Sequence, residues 1–98
     1  MTTTIKVVAT FLAKPGKTDE LASLLRGIVA PTRAEAGVHF YDLHQDIVEP
    51  RRFVFFESWD SQAALDAHDA TPHIQALRAR LPELIDKGEV HRLMQIAG

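Results

Sequence analysis

The sequence predicts an α+β fold, a four-stranded antiparallel sheet with helices on one face. Three observations predict it: strand-like stretches that are apolar on both faces, two intervening stretches with apolar residues at helical spacing, and turn or cap residues at the junctions. At 98 residues the chain is expected to be one domain spanning residues 1–98, with a modest core and a high share of surface.

The first strand is expected over about Thr4 to Ala13, with Ile5, Val7, Ala9 and Phe11 on one side and Val8, Thr10 and Leu12 on the other. Lys14-Pro15-Gly16 turns the chain. Leu21, Leu24, Leu25, Ile28 and Val29 then recur at helical spacing, which predicts a helix from about Lys17 to Glu35 closed by Gly37 as a left-handed cap. Pro31 within it removes one hydrogen bond and presses on the carbonyl of Gly27, so a kink is expected there.

Strands two and three are expected as a hairpin, Val38 to Val48 and Arg52 to Trp59, with Glu49-Pro50-Arg51 as the turn. In strand three Phe53, Phe55, Glu57 and Trp59 alternate with Val54, Phe56 and Ser58, so both faces are largely apolar. Asp60 is a good N-cap for a helix over Ser61 to Ala70, and Thr71-Pro72 is a second start signal. Ile74, Leu77, Leu81, Leu84 and Ile85 give that second segment its apolar face, with Pro82 expected to end it near Leu81. Asp86-Lys87-Gly88 then turns into a last strand from about Glu89 to Ile96.

Strand, helix, strand, strand, helix, strand is the order of the ferredoxin-like βαββαβ plait. Helices cover one sheet face only, while strands one and three are apolar on both. A second copy packed sheet against sheet would cover the other face, so a homodimer is expected.

Several function classes are disfavoured. A net charge of −2 with interspersed signs leaves no electrostatic footprint for nucleic acid. No apolar run reaches the roughly 20 residues of a membrane span, and the N-terminus lacks a basic n-region, so neither a membrane nor a secretory route is expected. The absence of cysteine excludes disulfides and thiolate metal sites and fits a reducing compartment, with cytoplasm as the default. The five glycines are scattered and form no nucleotide, flavin or phosphate loop.

The residues open to chemistry cluster in strands two and three and the helix that follows. His68 lies with Ala64 and Leu65 on the helix face expected to meet the sheet, and it is either a general base or a histidine plugging that seam. Trp59 ends its strand beside the helix start, where an indole can floor a pocket for a flat ring and offer one N–H, or be ordinary core. His73 falls in the first turn of the next helix. Strand two brings Tyr41 on one face and Asp42, His44 and Asp46 on the other. If the hairpin loop has an even residue count, His44 pairs with Glu57; a one-residue bulge instead puts Tyr41 and Leu43 with Glu57 and Trp59. Asp42, His44 and Asp46 could converge on a cation, but His68 and His73 lack the four-residue spacing of a helical ligand pair, and no metal is expected.

KVVATFLAKPGK, EAGVHFYDLHQD, RFVFFESWDSQAALDAHDATPHI and the final short strand together resemble the antibiotic biosynthesis monooxygenase superfamily, within it the quinol monooxygenase branch. The most specific part is the phenylalanine-rich strand ending Glu57-Ser58-Trp59, with His68 nine residues beyond and Thr71-Pro72-His73 after it. The resemblance implies a dimeric α/β barrel assembly and a monooxygenase, an oxidoreductase that uses molecular oxygen on a quinol, polyphenol or other small aromatic without flavin, metal or other cofactor. Triplet oxygen reacts slowly with closed-shell molecules, so such an enzyme must make its substrate electron-rich by removing a phenolic or enolic proton. His68 and Trp59 are the expected catalytic residues, and Tyr41, His44, Phe55, Glu57 and His73 the expected substrate-binding ones. Other branches degrade haem or isomerise small carbonyl compounds. Haem-degrading relatives use an asparagine, tryptophan and histidine trio, and this chain has no asparagine. An isomerase and a non-catalytic small-molecule-binding dimer stand as alternatives on the same scaffold.

Overall fold

The computed structural model describes residues 4–98. Its elements run β1 (Ile5–Ala13), α1 (Thr18–Gly27), α2 (Val29–Arg33), β2 (Val38–Gln45), β3 (Arg52–Trp59), α3 (Gln62–Asp69), α4 (Pro72–Leu84) and β4 (Ile85–Leu93). The strands form one antiparallel sheet in the order β2-β3-β1-β4, the ferredoxin-like plait expected from the sequence.

Alternation along the strands decides what the helices meet. Val7, Ala9, Phe11, Phe53, Phe55 and Trp59 are buried, and with Leu21, Leu25, Leu65, Ile74 and Leu77 they form the core between sheet and helices. On the opposite face Phe40 and Phe56 stay exposed.

The first helical segment breaks at Ile28, three residues before Pro31. Proline has no N–H to offer the carbonyl of Gly27, so the ladder is interrupted there. The Ile28 N–H bonds back to Leu25 at 3.3 Å instead. Gly37 has φ +84, but it lies beyond α2 and not at its cap, which is Ala34. Its role is close approach: a Cβ there would sit 2.7 Å from Cβ of Ala64 on α3.

Three boundaries differ from expectation. Ser61, not Asp60, caps α3, accepting from the Ala64 N–H, while Asp60 is held by His39 at 2.6 Å. Strand β2 stops at Gln45, because the Asp46 carboxylate accepts the N–H groups of Val48 and Glu49 at 2.8 and 3.1 Å and folds 46–51 into a loop. Helix α4 runs through Pro82 to Leu84 and passes directly into β4. The Lys14 backbone N–H donates to the Leu84 carbonyl at 2.9 Å and Lys14 Nζ to that of Pro82 at 3.1 Å, so this helix end is satisfied without the expected turn at 86–88.

Candidate active site

Strand β3 supplies the floor of the site. Phe55 and Glu57 point toward the helices, and across the hairpin Tyr41 faces Glu57 while Leu43 faces Phe55. The pairing runs unbroken from the loop, Gln45 opposite Phe53 through Phe40 opposite Ser58, so it is Tyr41 and not His44 that lies beneath the helices; the register shifts only beyond Phe40, toward Val38. The rings of Tyr41 and Phe55 stack at 4.6 Å.

Glu57 is a carboxylate in an apolar wall. Only 5% exposed, it accepts one hydrogen bond, from Trp59 Nε1 at 2.9 Å. Burial pushes its carboxyl up to about 7; the Trp59 donor opposes this, and the Asp69 and Glu35 carboxylates add to it. Burial first, and then Glu57, drive the Tyr41 phenol upward too, so it stays protonated. Thr32 stands close enough to act on that phenol, yet its own buried hydroxyl has no partner of hydrogen-bond geometry among the described residues.

Helix α3 lowers His68 onto this floor. Its side chain is 6% exposed, its ring lies 4.6 Å from the Trp59 indole and 5.6 Å from the Tyr41 ring, and Nδ1 meets Glu35 Oε2 at 2.9 Å. A carboxylate can only accept, so facing one Nδ1 is the donor, and a neutral ring in this orientation has its lone pair on Nε2. The same Oε2 receives His73 Nε2 at 2.8 Å. Glu35, just past α2, therefore ties together one histidine from α3 and one from α4.

A cavity of about 140 Å³ lies between helices and sheet, with Tyr41, Phe55, Glu57 and His68 among its walls. Leu65, Ile74 and Leu77 close it from the helix side, and Arg78 and the exposed Val90 stand at its rim. It joins an apolar chamber to a histidine and to a carboxyl poised near neutrality. Such a site can bind a small, mostly apolar molecule and move a proton on it.

Of the expected site residues, Tyr41, Phe55, Glu57 and His68 line this cavity, and three do not. Trp59 is fully buried behind it, with its N–H given to Glu57, so it supports the rings of His68 and Tyr41 and offers no donor to a ligand. His73 belongs to a separate groove between α1 and α4. His44 is exposed on the opposite sheet face, opposite Val54 and 4.8 Å from the Phe56 ring; the even-loop register that would have brought it to Glu57 is not adopted. Asp42 and Asp46 likewise bond Arg33 and Arg52 and do not converge with it.

Glu35 is the residue sequence reasoning missed. It is 33 positions from His68, and only the helix break at Ile28 and the close packing at Gly37 bring it there. Helical spacing also gave no hint that His68 and His73 approach each other. With Glu35 they place three donor atoms within 4.8 Å of one another, a set that could hold a metal ion.

A ferredoxin-like plait with a histidine-bearing cavity between helices and sheet defines a small-molecule-handling class of domain. Residues 4–80 match the antibiotic biosynthesis monooxygenase family. Rv0793 of Mycobacterium tuberculosis, a monooxygenase in name, is 37% identical over 87 residues, covering 89% of this chain and 85% of that protein. The Synechocystis protein sll1783 is 33% identical over 93 residues, covering 95% of this chain, and the chain spans 63% of its length. Among solved structures, PA3566 from Pseudomonas aeruginosa superimposes with a TM-score of 0.94 at 37% identity, over 99% of this chain and 98% of that one. The chain belongs to the antibiotic biosynthesis monooxygenase family. Among the described residues no helix is long and apolar enough to cross a membrane.

Proposed function

We propose that this protein is a monooxygenase that oxidises a small quinol or related phenol with molecular oxygen, using His68 as the base and no flavin or metal. The observation that carries this reading is the geometry of His68, whose Nδ1 is held by Glu35 while the ring forms a wall of the apolar cavity. Its Nε2 is the lone pair that takes a phenolic proton. The electron-rich anion that remains can pass electrons to triplet oxygen.

The size of the cavity narrows the substrate. At about 140 Å³ it is close to the ~150 Å³ apolar cavity known to take up benzene, so a single ring fits better than a polycyclic one. For a simple quinol the reaction balances without an external reductant. The quinol gives two electrons in becoming a quinone and two more in ring hydroxylation; one oxygen atom enters the ring and the other leaves as water with two hydrogens. Glu57, protonated in part at neutral pH, can donate to an oxygen atom of the substrate.

The protein works as a homodimer in this reading. Phe40, Phe56 and Leu93 lie exposed on or beside the sheet face that the helices leave bare, and a second copy would cover them. Oxygen uptake by purified protein with a panel of monocyclic and polycyclic quinols tests the proposal. One O₂ consumed per quinol, fastest with single-ring substrates, is expected; no uptake above the uncatalysed rate would reject it.

A second reading has one observation in its favour. His68 and a carboxyl near pH 7 share one cavity, which also suits an isomerase that shuttles a proton on a small carbonyl compound. Turnover of such a compound without oxygen uptake would select it.

A further inference from the structure

We infer that Glu35 is the positioning carboxylate of His68 and that His73 locks Glu35 in place, so that the three residues act as one unit of which only His68 touches substrate. The inference rests on the reading of His68 as the base and assigns roles to two residues that the cavity does not contain.

A neutral histidine is a base at Nε2 only when its hydrogen sits on Nδ1. Something must select that tautomer and hold the ring. Glu35 Oε2 lies 2.9 Å from Nδ1, on the side of the ring away from the lone pair that the base needs. The floor packs against the ring through Trp59, tilted at 4.6 Å, and Tyr41, in a T-shaped contact at 5.6 Å. These aromatic contacts fix the plane but do not distinguish one nitrogen from the other. Only the carboxylate does that.

A glutamate side chain has three rotatable bonds and would not by itself keep one oxygen in place. His73 supplies the restraint. Its Nε2–H reaches the same Oε2 at 2.8 Å, and Thr71-Pro72 fixes the helix start from which His73 projects. Exposure increases along the chain of contacts, with side chains 6% exposed at His68, 13% at Glu35 and 21% at His73. His73 also lines the outer groove of about 450 Å³ between α1 and α4, which shares only Leu77 with the inner cavity. The unit thus spans the wall between the two spaces, with its base on the inner side and its anchor on the outer.

The arrangement is the orienting logic of an acid, histidine and nucleophile triad, with the substrate hydroxyl in the place of the nucleophile. In that setting loss of the carboxylate costs about 10⁴-fold in kcat, because the wrong tautomer forms. Here Glu35→Leu, which keeps the bulk but offers no acceptor, is expected to lower kcat by at least ~10²-fold with KM within about threefold, since Glu35 does not line the cavity. Glu35→Asp should recover part of the loss. His73→Ala should lower kcat by about tenfold, and His73→Gln, which retains an N–H donor, should recover much of that.

Substrate-free ¹⁵N NMR of the histidine rings separates this inference from the proposed reaction. In the wild-type protein neutral His68 should be the Nδ1–H tautomer, and in Glu35→Leu the Nε2–H form should appear. An unchanged His68 tautomer in a folded Glu35→Leu protein would overturn the inference even if quinols are oxidised. So would a divalent ion retained in stoichiometric amount with His68 Nδ1 and His73 Nε2 both stripped of hydrogen, which would make the trio a metal site. If the tautomer switches as expected and no quinol is turned over, the positioning unit stands and the quinol reading falls.

Discussion

Phe55 and Phe56 are neighbours on one strand, yet one is 1% exposed and the other 45%. The strand alternates, and helices cover only one side of it. On the covered side Phe55 stacks on Tyr41, Glu57 is desolvated, and His68 descends from α3 onto both. On the bare side Phe56 meets only the edge of His44 among the aromatic rings, and Lys6 reaches over Phe40. The same residue type therefore stands in two settings: inside, it builds the floor of an apolar cavity; outside, it stays half exposed. Polar groups acquire unusual chemistry only on the side from which water is excluded.

The largest effect is expected on the covered face. Phe55→Ala should cost about 3–5 kcal/mol of unfolding free energy, since it opens a cavity under Tyr41. Chemical denaturation followed by Trp59 fluorescence would measure it. A loss no larger than that of an exposed site would show that the covered face is not packed as described.

Gly37→Ala tests how tightly the covering helix approaches. The new methyl meets Ala64 at 2.7 Å, and φ is +84, so we expect a loss of about 2–4 kcal/mol, from backbone strain and overpacking together. Because Gly37 keeps α3 close to the segment that carries Glu35, kcat should fall as well.

Glu57→Gln sharpens the electrostatic half of the comparison. The Glu57 carboxyl moves from its ordinary 4.5 to about 7 on folding, so between these values the native state binds more protons than the unfolded one. Stability must then fall as pH rises from about 4.5 through about 7. Glutamine keeps an acceptor for the Trp59 N–H and carries no charge. The variant should match the wild type near pH 4 and exceed it by on the order of 2–3 kcal/mol at pH 8. A gap independent of pH would remove buried charge as its cause.

The smallest effect on the fold is expected outside. Phe56→Asp should change protomer stability by about 0.5 kcal/mol or less, and, under the proposed pairing of two copies through this face, should shift sedimentation from dimer to monomer at micromolar concentration. An unchanged sedimentation coefficient would mean that no dimer forms through this face.

Much of this was legible in the residues. Strand alternation, the leucine stripes and Thr71-Pro72 were enough to place the plait and the breaks in its helices, because each depends on neighbours within a few positions. His68 was legible for the same reason, through Ala64 and Leu65 on its helix face. What escaped depends on distant partners. The hairpin register turns on the Asp46 side chain folding the loop. The end of α4 is satisfied by Lys14, some 70 residues earlier. Trp59 has the N–H to serve as a donor for substrate, but Glu57, two positions away on the same face, accepts it. Glu35 had no local signal at all, since a glutamate near a helix end usually faces water.

The proposed mechanism gives His68, on the inner cavity, the removal of the proton that lets oxygen react. Its most direct test is oxygen uptake with a monocyclic quinol, comparing the wild-type protein with His68→Ala at equal concentration and confirmed folding. Catalysed uptake by the wild type and a loss of about 10²- to 10⁴-fold in the variant are expected. Equal rates for the two proteins, or none above the uncatalysed reaction for either, would contradict it.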